Sequence, residues 1–195
     1  MNEVADIIYA DPPWKQEKGG FKKARPNTSG SPLDYQTLGL EDIKEIVGKN
    51  MGKVLFLWTI DKYLFEAQKM GEDLGYKLHA RLIWDKVTGI PAAFTVRFSH
   101  EYLLWMYTSP MIPISKDARG KFSTVFREKV IAHSKKPIKG YEMIEAMYPE
   151  ASKLELFARN FRQGWESWGN QLPNSHPTSS LESWGIEKIK EIEGE

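Results

Sequence analysis

Two consecutive prolines, Pro12 and Pro13, fix where the first strand of this chain has to stop. The run Ala5-Asp6-Ile7-Ile8-Tyr9-Ala10 is apolar enough for a short buried strand, and it leads straight into Asp11-Pro12-Pro13-Trp14. Proline has no N–H to give a ladder and holds its own φ, so no strand continues through the pair. A carboxylate, stiffly held carbonyls and a large aromatic are left at the strand's carboxyl end, where open α/β sheets place their ligands. Acceptors beside a stacking plate suit a planar amine, and the exocyclic N6 of adenine is the best match. Taken alone, the four residues also fit a strand-ending turn with Trp14 in the core, so a second, independent site is needed.

Beyond this point the chain alternates. Residues 15–34 form a long polar loop closing at Tyr35-Gln36-Thr37-Leu38, and Leu40 to Val47 carries Leu40, Ile43, Ile46 and Val47 on one helical face, to be ended by Gly48 or Gly52. Val54 to Trp58 reads as a central strand. Asp61 to Leu74 reads as a helix with Leu64, Phe65, Met70 and Leu74 on its apolar face and Gly75 as its stop. Lys77 to Trp84 is a strand followed by Asp85-Lys86 and a Gly-Ile-Pro turn, and Glu101 to Tyr107 is the next strand. Residues 109–128 read as irregular and basic, with a short edge strand at Val130-Ile131. A helix from Tyr141 to Met147 and a strand from Lys153 to Phe157 follow, and after Leu172 the chain turns polar, with a short terminal helix at Ile186 to Ile192. Strands alternating with helices imply an α/β class with a largely parallel sheet flanked by helices. The expected division is one domain over 1–172 and a polar linker with a short helix over 173–195.

Composition excludes several chemistries. The chain has 195 residues, 41% hydrophobic and 27% charged, an ordinary balance for one globular domain. No apolar run reaches membrane-spanning length and the N-terminus lacks a basic-then-apolar signal pattern, so a cytoplasmic location is expected. The absence of cysteine removes disulfides, thiolate metal sites and cysteine nucleophiles. His79, His100, His133 and His176 lack ligand spacing, so no metal is expected, and no Gly-x-Gly-x-x-Gly or Walker sequence is present. The net charge of +1 is uninformative, but its distribution is not. Lys15, Lys18, Lys22, Lys23 and Arg25 follow the Asp-Pro-Pro-Trp stretch, and a second run holds Lys116, Arg119, Lys121, Arg127, Lys129, Lys135, Lys136 and Lys139. Most such runs are solvated loops. Their place beside the motif favours two basic lips gripping a phosphate backbone.

The second site lies in the last third. Ser134-Lys135-Lys136-Pro137, a helix, Leu154-Glu155-Leu156-Phe157-Ala158-Arg159, and Trp165-Glu166-Ser167-Trp168-Gly169-Asn170-Gln171 form an ordered set. Together with Asp11-Pro12-Pro13-Trp14 and the Tyr-x-Thr-Leu at Tyr35, the set resembles the adenine-N6 methyltransferases of the family that includes the eukaryotic mRNA adenosine methyltransferase. The resemblance runs from about residue 5 to residue 172. It implies a Rossmann-like domain using S-adenosylmethionine. By position, Lys136 would pair with the cofactor's carboxylate, Arg159 would contact its ribose, and Asn170 and Gln171 would hydrogen-bond its ribose or adenine. Tyr35 would lie beside the target base, and Glu101, in Ser99-His100-Glu101, would face the substrate. The residues themselves agree: a lysine before a proline-led helix suits an anion, and an Asn-Gln pair offers donors and acceptors to an adenine edge.

The expected reaction is methyl transfer to N6 of adenine in nucleic acid, with DNA placed ahead of RNA. Asp11 would accept one N6–H and the Pro12 carbonyl the other, aiming the nitrogen lone pair at the sulfonium methyl, while Trp14 or Tyr35 stacks on the base. Pro13 would stiffen that frame, and Lys18, Lys22 and Lys23 would hold the polymer. Relatives often work in pairs, so a homodimer or partner subunit is expected. The contrasting reading is a non-catalytic nucleic-acid-binding subunit on the same fold.

Overall fold

In chain order the elements are β1 (Ile7–Ala10), α1 (Leu40–Lys49), β2 (Val54–Thr59), α2 (Leu64–Asp73), β3 (Lys77–Ile90), β4 (Phe98–Tyr107), β5 (Val125–Arg127), α3 (Ile138–Met147), β6 (Lys153–Leu156) and β7 (Glu166–Trp168). The structure is a computed structural model that describes residues 4–15, 37–90, 96, 98–130, 135–170 and 172. Every position of β1 and β2 is buried, as strands covered on both faces must be. The strands form one seven-stranded sheet in the order β5-β3-β4-β2-β1-β6-β7. β1 runs parallel to β2 and β6, with Ala10 opposite Leu57 and Leu156. β7 continues that parallel half beside β6, while β4 is antiparallel to both β2 and β3, and β5 is parallel to β3. The sheet is thus Rossmann-like and mostly parallel, with an antiparallel insertion around β4.

Alternation along β1 builds two cores. Ile8 and Ala10 face α1 and α2, packing with Leu55, Leu57, Ile43, Val47 and Met70. Ile7 and Tyr9 face α3, packing with Phe56, Trp58, Met143 and Ile144.

Several boundaries depart from the sequence reading for identifiable reasons. α1 passes through Gly48 and stops at Asn50, whose side-chain amide donates to the Ile46 carbonyl at 2.8 Å. Gly48 is a packing residue instead, since a Cβ there would lie 3.1 Å from Leu74. Gly52 serves close backbone approach, because its Cβ would come 2.5 Å from the Ala5 carbonyl oxygen. The helix expected from Asp61 opens as a 3-10 turn, Asp61–Tyr63, before α2. Phe65, expected in the core, is 77% exposed. It sits two residues from buried Ala67, on the opposite side of the helix, and Gly71 takes the inward place against Met106.

The Gly-Ile-Pro turn is not a turn at Ile90: β3 and β4 are longer than expected, and Ile90 still pairs with Phe98. Residues 109–128, expected to be irregular, contain β5, and the stretch before Gly169 contains β7. Both are three residues long and too short for periodicity to reveal. Val130 is in no strand, and Ile131 lies outside the described residues, as do 173–195 with the expected terminal helix.

Candidate active site

The prolines do what they dictate: β1 ends at Ala10, and Asp11 stands at the carboxyl edge with its N–H directed to the Leu156 carbonyl at 3.4 Å. Pro12 is buried, and its carbonyl already accepts the Trp14 N–H at 2.9 Å, which leaves it one lone pair. The Pro13 carbonyl accepts from Leu38 N–H at 3.0 Å, tying the motif to the segment before α1. Trp14 is not an exposed plate. Its ring is 6% exposed, it stacks on Tyr63 at 5.3 Å, and its indole N–H donates to the Trp58 carbonyl at 2.9 Å. An indole N–H needs a partner once buried, and the end of β2 offers one. This corrects the expected stacking role: Trp14 is core.

Lys136, just before α3, brings the site together. Its ammonium bonds Asp11 Oδ1 at 2.8 Å and Glu101 Oε2 at 2.9 Å, and sits 5.2 Å from the centre of the Trp58 ring. The anions it meets are this chain's own carboxylates. Burial alone depresses an ammonium, but Asp11 and Glu101 outweigh it and hold Lys136 above the ordinary lysine value. Glu101 is held below its ordinary range, because Lys136 and Lys86 outweigh the opposing effect of burial. Asp11 is raised: burial and the nearby Glu101 outweigh the pull of Lys136 and Arg159.

Beside Asp11 opens a cleft of about 420 Å³, a size suited to a small molecule. Lys135, Tyr141, Glu155, Phe157, Arg159 and Asn160 line it with Asp11 and Lys136. Glu155 was missing from the sequence reading. It is buried in β6, accepts the Tyr141 hydroxyl at 2.8 Å, and is pushed up to about 7 by burial, with Asp11 adding to the effect. Its signal was an acid set among Leu154, Leu156 and Phe157. Phe157, expected inside the strand, follows β6 in the left-handed region at φ 63°, a conformation that bulky residues adopt where a site demands it.

Arg159 lies in the cleft wall, whereas exposed Asn170 follows β7 and is not part of the lining. Their segments are nonetheless pressed together: Ala158 N–H donates to the Trp168 carbonyl at 2.8 Å, and a Cβ on Gly169 would lie 2.1 Å from the Ala158 oxygen. Only glycine fits there. Gln171, Tyr35, Lys18, Lys22 and Lys23 lie outside the described residues.

The second basic run is not one lip. Lys135 and Lys139 stand at the start of α3, where Glu128 caps the N–H groups of Ile138 and Lys139 at 2.8 and 2.9 Å. Lys116 and Arg119 flank a 3-10 turn anchored by Ser115 to Ala146 and Met147, at the other end of a ten-residue helix, about 15 Å away. Among the described residues no cluster could hold a metal ion and no helix is long and apolar enough to cross a membrane.

Comparison with known proteins places this geometry in context. The MT-A70 family model matches residues 5–171. A type II methyltransferase, M.MunI of Mycoplasma sp, is 29% identical over 188 residues, covering 87% of this chain and 78% of that protein. An N(6)-adenosine-methyltransferase MT-A70-like protein of Arabidopsis thaliana is 27% identical, covering 85% of this chain but 23% of its own length. The human N(6)-adenine-specific methyltransferase METTL4 is 25% identical, covering 86% of this chain and 37% of its own length. The chain thus spans less than half of these eukaryotic relatives.

Proposed function

This chain belongs to the MT-A70 family, and from that premise we propose that it transfers a methyl group from S-adenosylmethionine to N6 of adenine in nucleic acid. The observation that carries the reading is the Asp11 carboxylate, held by Lys136 at the carboxyl end of β1 and at the wall of the cleft.

The donor set of the cleft fits S-adenosylmethionine. Lys135 and Arg159 suit its carboxylate, Glu155 suits its ammonium, and Phe157 supplies an apolar face. When bound, the cofactor supplies an electrophilic methyl group on sulfur. The remaining work falls to the protein. An adenine amine is a poor nucleophile because its lone pair is delocalised into the ring. Asp11 accepts one N6–H and the remaining lone pair of Pro12 O accepts the other, which turns the nitrogen lone pair toward the methyl group. The proton lost on alkylation leaves to Asp11 or to water. Catalysis is then orientation and electrostatics.

With Trp14 in the core, stacking on the base falls to Tyr35, and Lys18, Lys22 and Lys23 hold the phosphates. Arg159 contacts the cofactor from the wall of the cleft, and Asn170 and Gln171 serve its ribose or adenine, as the family resemblance implies. Glu101 acts through Lys136. The substrate polymer is DNA ahead of RNA, a preference that leans on the type II methyltransferase, matched over 78% of its length against 23% and 37% for the adenosine and adenine-specific enzymes.

The test is transfer of labelled methyl from S-adenosylmethionine to matched single-stranded DNA, duplex DNA and RNA, followed by digestion to nucleosides. Label in N6-methyladenine, greater in DNA, supports the reading. Label mainly in RNA corrects the polymer, and label in no adenine overturns the activity.

A further inference from the structure

Lys86 does not line the cleft, yet it closes a row of charges that ends at Asp11. Its ammonium lies 2.5 Å from Glu101 Oε1, Glu101 Oε2 lies 2.9 Å from Lys136, and Lys136 lies 2.8 Å from Asp11. All four side chains are 13 to 18% exposed, so solvent screens them poorly. The signs alternate, and the row sums to zero.

A floor of tryptophan fixes the spacing. Lys86 sits 5.5 Å from the Trp84 ring centre and Lys136 5.2 Å from that of Trp58, while the two rings meet edge to face at 5.9 Å. Trp84 is opposite Glu101 in the β3–β4 register, so Lys86, two residues on, reaches Glu101 on the diagonal. The strand breaks register beyond Asp85, where Val87 adopts φ 66° and gives its N–H to Asp85 Oδ1 at 2.8 Å. That irregularity falls directly after the lysine.

We propose that Lys86 is a positioning residue for methyl transfer: by neutralising Glu101 it leaves Lys136 to Asp11, and so keeps Asp11 an anionic acceptor. The proposal rests on the activity given above. Without Lys86, two carboxylates share one ammonium in a poorly solvated site, and the pair takes up a proton more readily. Glu101 faces Lys86 from β3 and Lys136 from the segment before α3, while His100 on its own strand is bonded to the Tyr102 hydroxyl. Asp11 feels Lys136, Glu101 and Arg159, with Tyr9, Tyr141 and Glu155 as its further titratable neighbours.

The experiment is a ¹³C-carboxyl NMR titration of the cofactor-free protein, with Asp11→Asn assigning the signals, beside pH profiles of methyl transfer. In Lys86→Met the Asp11 midpoint rises by about one unit, and Lys86→Arg restores it. Glu101→Gln gives the opposite sign, lowering the Asp11 midpoint, and stands in should Lys86→Met not fold. The acid limb of the rate profile in Lys86→Met moves up with the midpoint, and the rate recovers at higher pH. Unchanged midpoints overturn the proposal, as does a rate loss that is the same at every pH. Shifted midpoints in a protein that transfers no methyl count against the activity and for the coupling.

Discussion

The two carboxylates that share Lys136 reach it by different routes. Asp11 stands at the end of a parallel strand, and the residues that hold it are its own chain neighbours, Pro12 and Pro13. Glu101 stands inside an antiparallel pairing, whose register brings it to Lys86, while Lys136 meets it from the segment before α3. Local stiffness sets the first position, and long-range register sets the second. Changes in the β3–β4 hairpin should therefore act on Glu101 first and reach Asp11 only through the ammonium between them.

The change with the largest expected effect on stability removes that ammonium. Lys136→Met leaves Asp11 and Glu101 as buried carboxylates without their common partner and should destabilise the fold by about 3 kcal/mol, read by urea unfolding at neutral pH. A loss under about 1 kcal/mol would mean that the two sides are held independently of Lys136.

Glu155 sharpens the comparison from the parallel side. Its folded pKa is raised from 4.5 to about 7, so the fold favours its protonated form. That contribution is fully present below pH 4.5 and is lost as pH rises through about 7. Between pH 5 and pH 8 the wild type should lose about 2 kcal/mol that Glu155→Gln retains. Parallel pH–stability curves for the two proteins would contradict this.

The smallest effect belongs to a control remote from both carboxylates. Phe65→Ser on the outer side of α2 should change stability by less than about 0.5 kcal/mol, since the ring is 77% exposed. A larger loss would show that the Phe65 ring is covered in solution.

Legibility in the sequence follows the same division. Ala5 to Ala10 and Val54 to Trp58 announce themselves because buried parallel strands are continuously apolar. Asp11 is legible because prolines write the strand end into adjacent letters. The partners of Lys136 are not, since they depend on pairing across 35 residues of chain in one case and 125 in the other. β5 and β7 escape notice because three residues show no period. Trp14 was ambiguous for a physical reason: one indole can stack on a base or bury itself under a strand end, and only Trp58's carbonyl decides.

The central claim is that Asp11 acts on the adenine amine and is not needed to hold the cofactor. Asp11→Asn keeps the shape and removes the charge. Its most direct test sets N6-methyladenine formation, by mass spectrometry, beside S-adenosylmethionine affinity, by calorimetry, in the same preparation. The account predicts a fall in turnover of about a thousandfold with affinity within a few fold of the wild type. Turnover within tenfold of the wild type, or affinity lost together with turnover, would contradict it.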